Sequence, residues 1–252
     1  TFFKNRVRPA VEQYALWQGG TLIVDGAGTR VPSHEFLRLA TKVPTTAELA
    51  MVVLAMRTCK RNDLLWQLER VALWMLLARP TKTERQKRCF DILQVVENAA
   101  DCDSSSLDLN EEERSIVLAA LNGEFQRSGD VDRAKAILWR LNEHVLRKEN
   151  DASVQQTQLT LEHVLPQQPS EGWKREWPNH VEYCHRLGNL ALLNRKKNSK
   201  LSNGVFADKK ETLSTSVYPL TAEIAKNTKW TAKEVNAQQD RYIKLAKIVW
   251  EL

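Results

Sequence analysis

Cysteine is scarce in this chain: Cys59, Cys89, Cys102 and Cys184 are its only four, widely scattered and with no CxxC pair. That spacing excludes a zinc knuckle or a small disulfide framework and leaves free thiols, as in a reducing cytoplasm. Also missing is any run of about 18 uninterrupted apolar residues. The closest stretch, Leu64 to Ala78, is broken by Gln67, Glu69 and Arg70, so it reads as a buried helix and no membrane is expected as a partner. There is no internal repeat and no low-complexity tract. The chain opens on Thr1, with neither an initiating methionine nor a basic-apolar signal pattern, which points to the C-terminal portion of something longer. Gly19 to Pro32 (GGTLIVDGAGTRVP) lacks the Lys and Ser/Thr spacing of a phosphate loop and reads as a loop or short hairpin.

What is present is enough apolar material, 42% of 252 residues, to bury a proper core. Residues 1–150 read as a helical bundle. Thr46 is expected to cap a helix through Cys59, and Asn62 a second with an apolar face of Leu65, Leu68, Leu73, Leu76 and Leu77. Helices follow from Thr83 to Asn98, from Asn110 with Glu113 as its capping partner to Leu121, and from Asp130 to Arg147. The polar stretch KENDASVQQTQ, Lys148 to Gln158, reads as a linker and sets the domain division at 1–150 and 151–252. Beyond it, Leu159 to Leu165 and Leu190 to Leu193 are short apolar strands. A last helix starts at a Thr231–Glu234 capping box and runs to the terminus.

Net charge is +6. Residues 152–252 hold 15 Lys and Arg against 10 Asp and Glu, while the rest of the chain is nearly balanced. The positive excess therefore lies with one segment, as a phosphate-binding surface requires.

That segment carries LEHVLPQ, then RLGNLALLNRKKNSKLSN, then FADKK. An adjacent acid and histidine, an Asn before a hydrophobic strand and another Asn in a basic stretch are the parts of an HNH-type metal-dependent nuclease. Hydrolysis of a phosphodiester needs a base for water and a cation to neutralise charge on the phosphoryl group. His163 suits the base, because neutral imidazole accepts a proton near physiological pH. Glu162 offers an oxygen to Mg²⁺ or Mn²⁺, and Asn198 a second, neutral oxygen ligand. Neighbouring side chains on a strand face opposite ways, so presenting both Glu162 and His163 requires the backbone to turn before Pro166. Asn189 would bridge backbone groups and hold the loop that carries His163. Arg195, Lys196, Lys197, Lys200 and Ser202 would hold DNA phosphates without reading sequence.

In combination, EHVLPQ, RLGNLALLN, KKNSKLSN, FADKK and the closing WTAKEVNAQQDRYIKLAKIVW resemble the C-terminal HNH nuclease domain of GmrSD-type modification-dependent restriction enzymes, the phosphorothioate-sensing SspE-like members in particular. The resemblance implies a mainly α protein: a helical bundle followed by a small ββα-metal core with added C-terminal helices. It also implies an endonuclease or nickase of bacterial antiviral defence, cytoplasmic, acting on double-stranded DNA. By motif position His163 is the general base, Asn189 the supporting amide, and Glu162 and Asn198 the metal ligands. In the family an N-terminal NTPase domain with a DGQQR-like motif senses the DNA modification; no such motif is present, so that partner domain is expected outside this chain.

Other residues read as structural. Trp66, Trp74 and Trp139 fall on apolar helix faces; Trp173 and Trp177 are better explained by packing than by base stacking. His180 and His185 lie in the same region as the motif and could assist it, but a surface or helix-packing role explains each better. The competing function is a catalytically silent DNA-binding or protein-interaction module of the same fold.

Overall fold

The computed structural model describes residues 8–18, 32–59, 61–97, 104–127, 129–150, 159–177, 179–194 and 204–252. Within these the protein is mainly helical, with one two-stranded antiparallel sheet. The chain divides into two compact units, Thr1–Val117 and Leu118–Leu252. The division falls earlier than the polar stretch at 151–158, which lies outside the described residues, as do residues 19–31 of the glycine-bearing segment.

The first unit contains α1 (Arg8–Gln18), α2 (Pro32–Ala40), α3 (Leu49–Thr58), α4 (Leu65–Ala78), α5 (Lys82–Glu97) and the start of α6 (Glu111–Leu121). Leu65, Leu68, Leu73 and Leu76 are buried on α4, as the apolar periodicity requires, and so are Glu69 and Arg70. Arg70 resolves its buried charge against Asp108 at 2.8 Å. Trp139 is buried as expected, whereas Trp66 is 43% exposed and lies under the Arg70 guanidinium, 4.3 Å from the ring centroid.

Neither Thr46 nor Asn62 stands at the N-cap of the expected α-helix, a position held by Glu48 in α3 and Leu64 in α4. Each sits in a short 3₁₀ turn, Pro44–Thr46 and Asn62–Leu64, that precedes the α-helix. Pro44 starts the first turn, and the Thr46 hydroxyl turns back to donate to the carbonyls of Ala40 and Val43. The Asn110–Glu113 box does form: each side chain accepts from the other residue's backbone N–H at 2.9 Å.

The second unit continues with α7 (Asp130–Asn150), β1 (Leu159–His163), α8 (Glu171–Glu176), α9 (His180–Cys184), β2 (Leu190–Asn194), α10 (Phe206–Ser214), α11 (Pro219–Ile224) and α12 (Ala232–Trp250). β1 and β2 pair antiparallel, with Glu162 opposite Ala191 and His163 opposite Leu190. The Thr221 hydroxyl on α11 both accepts from Leu192 N–H (3.1 Å) and donates to its carbonyl (2.9 Å), substituting for a third strand at that position.

Ala191 and Leu193 on β2 join Val164, Leu165, Trp173, Trp177, Phe206, Leu213 and Trp230 in one apolar cluster. Trp173 and Trp177 are buried and donate to backbone carbonyls of Gly204 and Trp230, which accounts for both as packing residues. The capping box at Thr231 and Glu234 starts α12. No helix among the described residues is long and apolar enough to cross a membrane.

Candidate active site

β1 ends at His163 because the next rung of the ladder, Val164 opposite Asn189, is only half made: Asn189 N–H turns to the Arg186 carbonyl instead of to Val164. Val164 N–H donates to the Asn189 carbonyl at 3.0 Å, and Leu165 N–H to the Asn189 side-chain oxygen at 2.8 Å. The rest of the Asn189 amide is equally engaged. Its Nδ2 donates to the carbonyls of Leu165 (3.0 Å) and Cys184 (2.8 Å), and its Oδ1 also accepts from Trp230 Nε1 (2.9 Å). Fully buried, with four side-chain hydrogen bonds, this one residue ties together the segment after His163, the end of α9 and the approach to α12.

Gly188 explains the other half of the LGN signature. A Cβ there would lie 2.5 Å from the Val235 carbonyl oxygen and 2.7 Å from Gln239 N, both backbone atoms of α12. Only glycine lets the helix come this close. Gln239 uses that proximity, its Oε1 accepting from Gly188 N–H at 2.7 Å while its Nε2 donates to the Leu121 carbonyl.

Glu162 and His163 are adjacent on β1 and have different partners. Glu162 Oε1 accepts from Lys209 Nζ at 2.6 Å, and the same ammonium donates to the His163 carbonyl at 2.9 Å. Lys209, on α10, has a side chain with 0% exposure; that of Glu162 is 13% exposed. Burial pushes the Glu162 carboxyl above its ordinary pKa, and the Lys209 charge opposes that shift. Lys209 has no assigned role in the sequence reading; its place in FADKK is the sole signal for it, because composition gives no hint that a lysine will be buried.

The His163 ring meets His185 edge to face, with centroids 5.4 Å apart, and its Nε2 lies 3.4 Å from Gln167 Nε2. Burial, then the charges of His185 and Lys209, lower the His163 pKa to about 4. Its imidazole is therefore neutral at physiological pH, with a lone pair to offer. Cys184 completes a group of three: one ligand atom from each of His163, Cys184 and His185 lies within 4.8 Å of the others. Two imidazoles and a thiol can hold a metal ion, and as a donor set they suit a borderline or soft cation better than Mg²⁺. His185 thus lies against the expected base rather than in a surface or helix-packing role, a contact that sequence spacing does not reveal.

Of the expected metal ligands Glu162 is described, and its contact with an ammonium shows that a positive charge is accommodated against its carboxylate. Asn198 lies outside the described residues, as do the expected phosphate contacts Arg195, Lys196, Lys197, Lys200 and Ser202.

Among known families, the model described as GmrSD restriction endonucleases, C-terminal domain, matches residues 111–245. No curated protein matches.

Proposed function

Because the chain belongs to the family of GmrSD restriction endonuclease C-terminal domains, we propose that it is a metal-dependent DNA endonuclease in which His163 is the general base. The observation that carries this reading is the half-buried imidazole of His163 at the end of β1, on a backbone held by the Asn189 amide, with its pKa lowered by desolvation. In the proposed reaction His163 takes a proton from water as the water oxygen bonds to phosphorus. The bond from phosphorus to the leaving sugar oxygen breaks, and that oxygen takes a proton from solvent.

Asn189 is a positioning residue, acting through the backbone of Val164 and Leu165. Glu162 and Asn198 would hold Mg²⁺ or Mn²⁺, which as a bound cation would neutralise charge developing on the phosphoryl group. The antiparallel β1–β2 pair followed by α10, whose Lys209 reaches Glu162, supports a ββα-metal core. Arg195, Lys196, Lys197, Lys200 and Ser202 would position double-stranded DNA through its phosphates. Modification sensing, phosphorothioate in the SspE-like reading, is assigned to an N-terminal NTPase domain, and the combined EHVLPQ, RLGNLALLN and FADKK motifs support that placement in a bacterial, cytoplasmic restriction system.

A second reading, a catalytically silent DNA-binding module, is favoured by one observation: Lys209 already occupies Glu162. Incubating the full chain with supercoiled plasmid and Mg²⁺ or Mn²⁺, with EDTA and His163→Ala as controls, separates the two. Metal-dependent nicked or linear product, lost in the variant while DNA binding persists, is expected. Equal cleavage by His163→Ala would remove the base; DNA binding without cleavage by the wild type would favour the silent module.

A further inference from the structure

The three side chains at the His163 imidazole come from two separate stretches of chain, the end of β1 and the end of α9. Their ligand atoms lie within 4.8 Å of one another. Around a tetrahedral ion with Zn–N of about 2.0 Å and Zn–S of about 2.3 Å, ligand atoms stand roughly 3.3–3.6 Å apart, so side-chain rotations that bring the atoms about 1 Å closer are enough to close the site.

None of the backbone that presents them needs to move. Asn189 Nδ2 holds the Cys184 carbonyl at 2.8 Å, and Phe125 N–H holds the His185 carbonyl at 2.8 Å. Nor do strong existing partners compete for the ligand atoms. His185 Nδ1 is buried without a hydrogen-bond partner among the described residues, an arrangement that is ordinarily unfavourable. The buried Cys184 Sγ has a weak contact at 3.8 Å with the Leu165 carbonyl.

We propose that His163, Cys184 and His185 form a binding site for Zn²⁺ or a chemically similar transition-metal ion, and that the ion, by taking the His163 lone pair, holds the nuclease off. The inhibitory half rests on the proposed role of His163 as base; the metal site stands on the geometry of the three donors. Binding at Cys184 exchanges the thiol proton for the metal, so one proton is released to solvent per ion bound. Mg²⁺, a hard ion that prefers oxygen, does not compete for this donor set, so the two kinds of ion would act at different atoms of the same small region.

The test uses the full chain under reducing conditions. Titration with Co²⁺ is expected to produce thiolate-to-cobalt charge-transfer absorption at one ion per chain, displaced by Zn²⁺. Cys184→Ser, of nearly unchanged volume, abolishes that absorption, and it and His185→Gln each weaken Zn²⁺ binding at least about tenfold by calorimetry, the scale on which coordination partners act. In plasmid assays with Mg²⁺, Zn²⁺ suppresses wild-type cleavage, and the ratio of rates with and without Zn²⁺ moves toward one in both variants. No charge-transfer absorption in the wild type, or unaltered Zn²⁺ affinity in folded Cys184→Ser, overturns the site. Zn²⁺ binding that leaves cleavage untouched overturns the inhibition. Zn²⁺ binding by a chain that never cleaves DNA upholds the site and removes the base reading instead.

Discussion

Replacing Asn189 with Ala should be among the most damaging single changes in the second unit. Four hydrogen bonds disappear, to Leu165 N–H, the Leu165 and Cys184 carbonyls, and Trp230 Nε1, all inside the core. At a net contribution of about 0.5–1.5 kcal/mol per bond, the loss is about 2–6 kcal/mol, a large part of the roughly 5–15 kcal/mol that ordinarily separates folded from unfolded protein. Urea unfolding followed by tryptophan fluorescence is a fitting assay, because Trp173, Trp177 and Trp230 share the adjoining apolar cluster. Asn189→Asp sharpens the test: its carboxylate can still accept from Leu165 and Trp230, but cannot donate to the two carbonyls. Burial raises the pKa of the new carboxyl, so its cost is greatest at neutral pH and recedes as pH falls and the group is neutralised. A loss below about 1 kcal/mol in Asn189→Ala would refute the reasoning, since it would mean that these four partners are readily satisfied without the amide.

Two further outcomes are expected. Lys209→Met leaves the Glu162 carboxylate buried without its cation and should cost about 3–5 kcal/mol, most of which is recovered in the Lys209→Met/Glu162→Gln double variant; additive losses in a thermal-unfolding cycle would contradict the pairing. In the first unit, burial raises the Glu48 pKa, but the Arg85 hydrogen bonds at 2.9 and 3.1 Å and charge outweigh it, leaving the carboxyl below its ordinary value of 4.5. The stability this lends is present above that value and lost as pH falls through the lowered pKa. Glu48→Gln should therefore flatten the acid side of the stability profile, and an unchanged slope would count against the ion pair.

Helices were legible in the sequence wherever a local signal set their ends. The Asn110–Glu113 and Thr231–Glu234 boxes each join residues three apart, and both appear in the structure. Thr46 and Asn62 carry the same capping chemistry, yet each is taken up by a 3₁₀ turn: one begins at Pro44, and the other begins at Asn62 itself. The short strands were visible as apolar runs, but the end of β1 at His163 depends on Asn189, many residues away, whose own N–H turns to Arg186 and whose side chain takes the Leu165 N–H.

The site was legible only as a motif. Glycine in LGN has its reason in α12, whose backbone would meet a Cβ at position 188. The buried ammonium of Lys209 and the meeting of His185 and Cys184 with His163 are long-range consequences of folding, with no periodicity to announce them.

The most direct test of the central claim is chemical rescue of the base. Plasmid cleavage by His163→Gly in Mg²⁺ or Mn²⁺ should fall by about 10²–10⁴-fold, the usual contribution of a general base, and added imidazole should restore part of it in proportion to its unprotonated fraction. Wild-type rates in the variant without imidazole would contradict the assignment of His163.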